Sequence, residues 1–432
     1  MIRTIILLIL IPFSLIAQKW TIYNHYNSGL LSDDVRAVFI DNNDIKWFGT
    51  SAGLSILDDN VWSSITVNDN LAHNTVTAIA SENNAEKVMK FWITTLGGVT
   101  ELRQESGAIT VGPPIIKENS GLLSNNVLSV AAEDTTLYWF GTDIGCSSFD
   151  GTNWAAYTTD NFLNTNWVTA IAAPPNDWTY IATKGGGVTR IKQQCIDAVT
   201  SASPLTTTWH QIASDTVNIV YIDKQGARWF GTNNGISKHI GDNSRSNWTT
   251  YTTDDGLSDN FVMSICQDSS YAMWFGTRNG LSHFDGESWK RYTAASGLSS
   301  NIINDLAVDK SGNLWIATNN GVTKLEIGHT AIAKSEKGEL HNPLELSVYP
   351  NPFNMETRII FSLGNAGHVE LSIFNIAGIK IRQLINRRFS AGEHYVSWDG
   401  FGANGRMMPS GIYIARLISN NRMFSRKLVL VN

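Results

Sequence analysis

Cysteine is nearly absent, with three residues in a chain of 432. Three thiols make no disulfide framework, so a buried core has to hold the chain together. Cys146 and Cys266 fall inside apolar runs, where a small hydrophobe fits, and Cys195 lies in an insertion. Charge is scarce as well: Asp, Glu, Lys and Arg make up 16% of the residues, which suits a β-rich exported protein better than long exposed helices. The net charge of −6 hides an asymmetry, because residues 343–432 carry ten Lys or Arg against five Asp or Glu. The remainder is therefore strongly acidic, and lacks the basic footprint that nucleic-acid binding needs. After residue 17 no apolar run approaches a membrane span. The opening stretch, MIRTIILLILIPFSLIAQ, reads as a cleaved export signal, with Arg3 ahead of an apolar core and Ala17 before Gln18. No Cys follows it, which speaks against a lipoprotein anchor.

Aromatics and glycine are plentiful by contrast, and they recur in one phrase. WFGTSAGLS at Trp47 returns as WITTLGGVT at Trp92, WFGTDIGCS at Trp139, YIATKGGGVT at Tyr180, WFGTNNGIS at Trp229, WFGTRNGLS at Trp274 and WIATNNGVT at Trp315, at steps of 41 to 49 residues. A β-rich, Gly-punctuated period of this length predicts one propeller blade per copy. Ahead of each copy runs a Val-, Ile- and Ala-rich segment such as 35–41 or 303–309, expected as the innermost strand. The glycine of each copy opens a third strand. A fourth carries Trp followed three residues later by Tyr or Ile: Trp62/Ile65, Trp154/Tyr157, Trp209/Ile212, Trp248/Tyr251 and Trp289/Tyr292, with 109–111 filling in after Trp92. Trp20 to Tyr23 forms one more such strand at the start, while the last repeat lacks its fourth. We therefore expect the N-terminal strand to complete the last blade and close the ring, which removes an exposed edge. Twelve of the fifteen Trp then have packing roles between blades. Trp167, Trp178 and Trp398 fall outside the two columns.

The expected fold class is all-β: a seven-bladed β-propeller over 18–328, a polar linker at 329–343, and a small Ig-like antiparallel β-sandwich of about seven strands over 344–432, after a signal peptide at 1–17.

Two family resemblances cover most of this. Residues 30–58, 257–285 and 298–325 resemble the two-component regulator propeller repeat, with its Leu-Ser turn, Asn or Asp before the inner strand, Asp hairpin, Trp-x-Gly-Thr and Gly-Leu. That resemblance implies the ligand-sensing propellers of periplasmic sensors. No kinase or membrane span follows the repeats here, so signalling is not inherited. The tail resembles the type A C-terminal sorting domain of the type IX secretion system. The matching residues are Tyr349, Pro350, Asn351, Pro352, Phe353 and Asn354, then Ile373 to Gly378, then Ala391 to His394, Trp398-Asp399-Gly400, Pro409 to Tyr413 with Gly411, and Lys427-Leu428-Val429-Leu430. The resemblance implies that the type IX machinery is a partner and that the chain, after Sec-dependent passage through the periplasm, is secreted or held at the outer-membrane surface. Membrane association would come only through surface attachment, and the chain is expected to be a monomer.

Chemistry has no strong signature. The Asp-rich hairpins do not match a calcium loop, there is no G-x-S-x-G elbow, and the nine His scatter. No catalytic residue, metal or cofactor is assigned. Binding has a better handle. The loop entering each inner strand repeats Asn or Asp at Asp33, Asn74, Asn125, Asn166, Asp215, Asn260 and Asn301, as an Asx turn would. The next residue varies: Asp34, Thr75, Asn126, Trp167, Thr216, Phe261 and Ile302. Variation beside a fixed turn is where recognition is usually grafted. We assign Trp167, Phe261, His73, Asp34 and Asn126 as candidate ligand residues for a glycan or a protein partner. Two alternatives stay open: an extracellular polysaccharide lyase or hydrolase in the funnel, since streptogramin-lyase-like enzymes use the same ring, and a sensor or scaffold component without its own kinase.

Overall fold

The structure is a computed structural model that describes residues 18–82, 88–132, 137–174, 178–193, 199–208, 211–241, 247–327, 345–349, 351, 353–354, 356–363, 366–376, 378–390, 392–419 and 422–431. Residues 1–17 and 329–343, read above as signal peptide and linker, and Cys195 lie outside these residues. The chain divides into two compact units, 1–331 and 332–432.

The first unit holds seven four-stranded antiparallel sheets. Blade 1 is Val35–Ile40, Lys46–Thr50, Gly53–Asp58 and Val61–Ile65, and the later blades open at Val76, Val127, Val168, Val217, Val262 and Ile303. Blade 7 takes its outer strand from Lys19–Tyr23, with Thr21 opposite Lys324 and Tyr23 opposite Val322. Each innermost strand packs against that of the next blade, and the last against the first. The ring is closed, as the repeat pattern requires.

Recurring residues explain why each blade forms. Trp47, Trp92, Trp139, Trp229 and Trp274 are fully buried between sheets. The repeat Thr donates its hydroxyl to the carbonyl of the Gly that starts the third strand; Thr50 to Gly53 is 2.8 Å, and the same bond recurs at Thr95, Thr142, Thr232, Thr277 and Thr318, while Thr183 donates to Gly187, the residue just ahead of Val188–Gln193. Gly53 sits at φ 137° and a Cβ there would lie 2.8 Å from the Ile65 carbonyl, so only glycine fits. Gly49 serves a different purpose: a Cβ there would meet Val76 of the next blade at 2.6 Å.

The hairpin aspartates are not free ligands. Asp41, Asp223, Asp268 and Asp309 each accept the indole N–H of the Trp six residues later, at 2.8 to 3.1 Å. Their second oxygen accepts backbone amides of the turn, as Asp41 does from Asn43 and Ile45. A buried indole thus gains its partner from the hairpin that precedes it.

One strand departs from expectation. The fourth strand of blade 4 is Val199–Leu205, paired with Val188–Gln193, and not the segment at Trp209/Ile212. Ile212 instead joins the buried loop column of Leu30, Leu71, Leu122, Leu163, Leu257 and Leu298, three residues before each fixed Asn or Asp; Trp209 lies outside the described residues. In blade 2 the expected outer strand forms at Ala108–Val111, and Ile115 bridges onward to Val99. Cys146 and Cys266 are buried free thiols, both pushed up by burial.

The second unit is a sandwich of a three-stranded sheet, Glu345–Tyr349, Thr357–Leu363 and Gly392–Trp398, and a four-stranded one, Lys380–Phe389, Gly367–Asn375, Gly411–Ser419 and Arg422–Leu430. Its motif residues mostly build the fold. Phe353 packs on Trp398 at 5.4 Å, the Trp398 indole donates to the Phe401 carbonyl, and the Tyr413 hydroxyl donates to the Pro409 carbonyl. Asn351 clamps the last strand, accepting from the Val429 amide at 2.6 Å and donating to the Lys427 carbonyl at 2.8 Å. Asp399 pairs with Arg382 at 2.7 Å, and Gly378 and Gly400 take φ of 78° and 76°. Gly411 pairs with Leu430. Pro350 and Pro352 lie outside the described residues.

Candidate ligand-binding rim

Alternating strand direction gathers two sets of connections at one end of the ring. These are the loops from each fourth strand to the next inner strand, and the turns between second and third strands. All seven fixed Asn or Asp residues lie here, and they do more than form a local turn. Each accepts the backbone N–H seven or eight residues earlier, as Asp33 does from His25, Asn74 from Val67 and Asn166 from Thr159. The same bond recurs at Asn125, Asp215, Asn260 and Asn301. The column is a clamp that fixes loop shape and leaves the following residue free to vary.

That following residue lies beside the first turn residue after the repeat Thr of its own blade. In blades 1, 2, 4, 5 and 6 its carbonyl accepts that residue's amide: Asp34 from Ser51, Thr75 from Leu96, Trp167 from Lys184, Thr216 from Asn233 and Phe261 from Arg278. The side chains meet as well. Lys184 Nζ lies 4.6 Å from the Trp167 ring centroid, and the Arg278 guanidinium carbon lies 3.5 Å from that of Phe261. In blade 3, Asn126 Nδ2 donates to Asp143 Oδ2 at 3.1 Å, and Asn126 Oδ1 and Asp143 Oδ1 are both buried without a donor among the described residues. Sequence reasoning had no access to these partners, because strand register brings together residues 17 positions apart.

The five assigned residues therefore share one rim on five blades. Trp167 is 43% exposed. Phe261 is half-buried under Arg278. Asp34 accepts both Nε and Nη2 of Arg36 at 3.1 and 2.9 Å, so its charge is locally paired. His73 is exposed, but its Nδ1 accepts the Thr75 amide at 2.9 Å. It stands where Ser32, Ser124 and Ser214 accept the equivalent amide in other blades, which leaves only Nε2 for a ligand.

Just inside the rim every innermost strand carries a bulge after its first residue. At the bulge, Thr77, Thr169, Asn218 and Asn304 donate to the carbonyls of Val127, Val217, Val262 and Val35 on the next blade. The last of these crosses the seam between blades 7 and 1. Asp305 crosses it too, accepting the Val38 amide at 2.9 Å with one oxygen and the Leu306 amide with the other. The equivalent residues elsewhere are Ala37, Ala78, Ser129, Ala170, Ile219 and Ser264, so Asp305 is a single acid in a small or apolar column. Burial pushes its carboxyl up to about 6, opposed by the two amides. A folded pKa above the unfolded value of 3.8 means stability is lost as pH rises from about 4 through 6. Asp305→Asn removes that loss: relative to the parent it should gain up to about 3 kcal/mol between pH 4 and pH 7. Urea unfolding at both pH values reads this out, and an unchanged difference between the two proteins contradicts it.

Seven of the ten large apolar side chains exposed among the described propeller residues stand on this rim: Tyr26, Val67, Leu96, Ile144, Phe162, Trp167 and Ile302. Val61 and Ile240 lie at the opposite end. Among the described residues no group of three His, Cys, Asp or Glu could hold a metal ion.

Comparison with known proteins bears on both units. Residues 347–431 match the family model of the secretion system C-terminal sorting domain, and residues 256–279 and 297–320 match that of the two component regulator propeller. No curated protein matches the chain. Among solved structures, it is similar to the extracellular domain of the hybrid two component system BT3049 from B. thetaiotaomicron, at 17% identity and TM-score 0.60, covering 96% of this chain and 57% of that one. It is also similar to PorZ, a surface component of the type-IX secretion system of Porphyromonas gingivalis, at 16% identity and TM-score 0.58, covering 94% and 60%. A streptogramin B lyase matches at 15% identity and TM-score 0.54, covering 72% of this chain and 97% of its own. The chain thus spans about three-fifths of the length of the first two. At these identities the likeness shows the propeller fold; the tail shows a type IX sorting domain, and with it export to the cell surface.

Proposed function

We propose that this exported propeller binds a glycan at the cell surface through the rim of clamped loops, with Trp167 and Phe261 as its aromatic contacts. The exposed Trp167 indole carries the reading. It stands outside both packing columns, and a rim-mounted aromatic face suits stacking on a sugar ring. Asn218 and Asn233, hydrogen-bonded to each other at 2.9 Å on the blade between, offer carboxamides for hydroxyl groups. The clamped Asn and Asp column supplies rigidity, so little ordering cost is added on binding. Asp34, Asn126 and His73 extend the surface onto blades 1 to 3. Removal of the leader, passage through the periplasm and retention at the surface complete the route we assign to the chain.

The double variant Trp167→Ala/Phe261→Ala tests this. Neither side chain fills the core, so near-UV circular dichroism and thermal unfolding should stay close to the parent. Glycan retention on an array should fall at least tenfold. Undiminished retention by the folded variant would remove the rim from the account.

A further inference from the structure

We infer that the ligand is an acidic glycan, one bearing carboxylate or sulfate groups, and that Lys184 and Arg278 receive its negative charge. This rests on the rim reading above and deepens it. Two positions vary around the ring: the residue after the fixed Asn or Asp, and the first turn residue after the repeat Thr. Among the fourteen residues so defined, aromatics occur only at Trp167 and Phe261, and cations only at Lys184 and Arg278. Both aromatic blades carry the cation, and no other blade does.

Lys184 and Arg278 are exposed, and among the described residues their charged ends lie over the adjacent rings and make no hydrogen bond or ion pair. Nearby acids are committed elsewhere. Asp215 holds the Thr207 amide and hydroxyl, Asp255 holds the Thr252 amide, and Asp259 holds the Phe261 amide at 2.6 Å. An acidic body therefore presents two unpaired cations on one arc of its rim, each beside an aromatic face. Blade 5, between them, contributes Thr216 and Asn233, which are uncharged. A sugar stacked on the ring brings its carboxylate or sulfate within reach of the adjacent cation, and a charge-assisted hydrogen bond follows. An exposed cation over a ring contributes modest stability by itself, so a purely structural pair would leave binding untouched.

A glycan array carrying uronate, sialate and sulfated chains beside neutral ones, probed with the purified mature chain, tests the inference. We expect retention on acidic chains, at least tenfold weaker for Lys184→Gln and for Arg278→Gln, restored by Lys184→Arg and Arg278→Lys, and reduced several-fold between 50 and 300 mM salt. Retention on neutral chains alone, lost with Trp167→Ala, overturns the acidic ligand and keeps the rim. Acidic retention indifferent to both Gln variants overturns the assignment of the cations. Absence of retention on any chain overturns this inference and the rim reading together.

Discussion

Deleting residues 18–24 should abolish cooperative folding of the propeller. The strand Lys19–Tyr23 does more than cover the edge of Gly321–Glu326. Trp20 meets Tyr292 of blade 6 edge-on at 5.6 Å and lies against Gly297, where a Cβ would approach its ring to 2.6 Å. Tyr23 stacks on Trp315 at 5.5 Å and contacts Trp62 of blade 1 at 6.1 Å. Losing a large buried aromatic costs about 3–5 kcal/mol. Trp20 and Tyr23 are half-buried, so each contributes part of that, and with the opened sheet edge their loss takes a large share of a domain's stability of about 5–15 kcal/mol. The deleted chain should show no sharp thermal transition and lose its near-UV spectrum, while Trp20→Ala alone should lower the midpoint by several degrees. A deletion that melts like the parent would mean that six complete blades and an open seventh suffice.

The second large effect concerns the tail. Truncation from Leu344 removes the sorting domain and leaves the separate compact unit of the propeller intact. The truncated protein should fold, vanish from the cell surface and medium, and accumulate in the periplasm, as read by fractionation and immunoblotting. Continued surface display would deny the tail its address role. Point variants need care, because Trp398, Phe353 and Tyr413 are core residues; their loss acts through unfolding. Arg382 and Lys427 are more surface-borne and make better probes of recognition.

Much of this was written in the repeat. The Trp, Thr and Gly of each copy map onto buried packing and turn roles because the same backbone geometry recurs seven times. Closure by Trp20 to Tyr23 followed from counting strands. The failure at Trp209/Ile212 has a physical cause: blade 4 carries an outer strand, Val199–Leu205, without the aromatic pair, and a Trp three residues before an Ile imitated it. The fixed Asn and Asp were legible as turn residues, but their partner amides seven or eight residues upstream were not. Nor were the cations over Trp167 and Phe261, since they depend on strand register. Asp305 could have been noticed by aligning the inner strands, where it stands alone among Ala, Ser and Ile. Its bond to Val38 could not, because that contact joins residues 267 apart.

The whole arrangement of the rim depends on the two ends of the propeller meeting, and a paired cysteine substitution measures that directly. Thr21 and Lys324 are register partners in blade 7, and the described native thiols are buried. In Thr21→Cys/Lys324→Cys, mass spectrometry under non-reducing conditions should find the two peptides joined within one chain after mild oxidation, with a raised thermal midpoint. Two freely labelled thiols, or links only between separate chains, would contradict the closed ring.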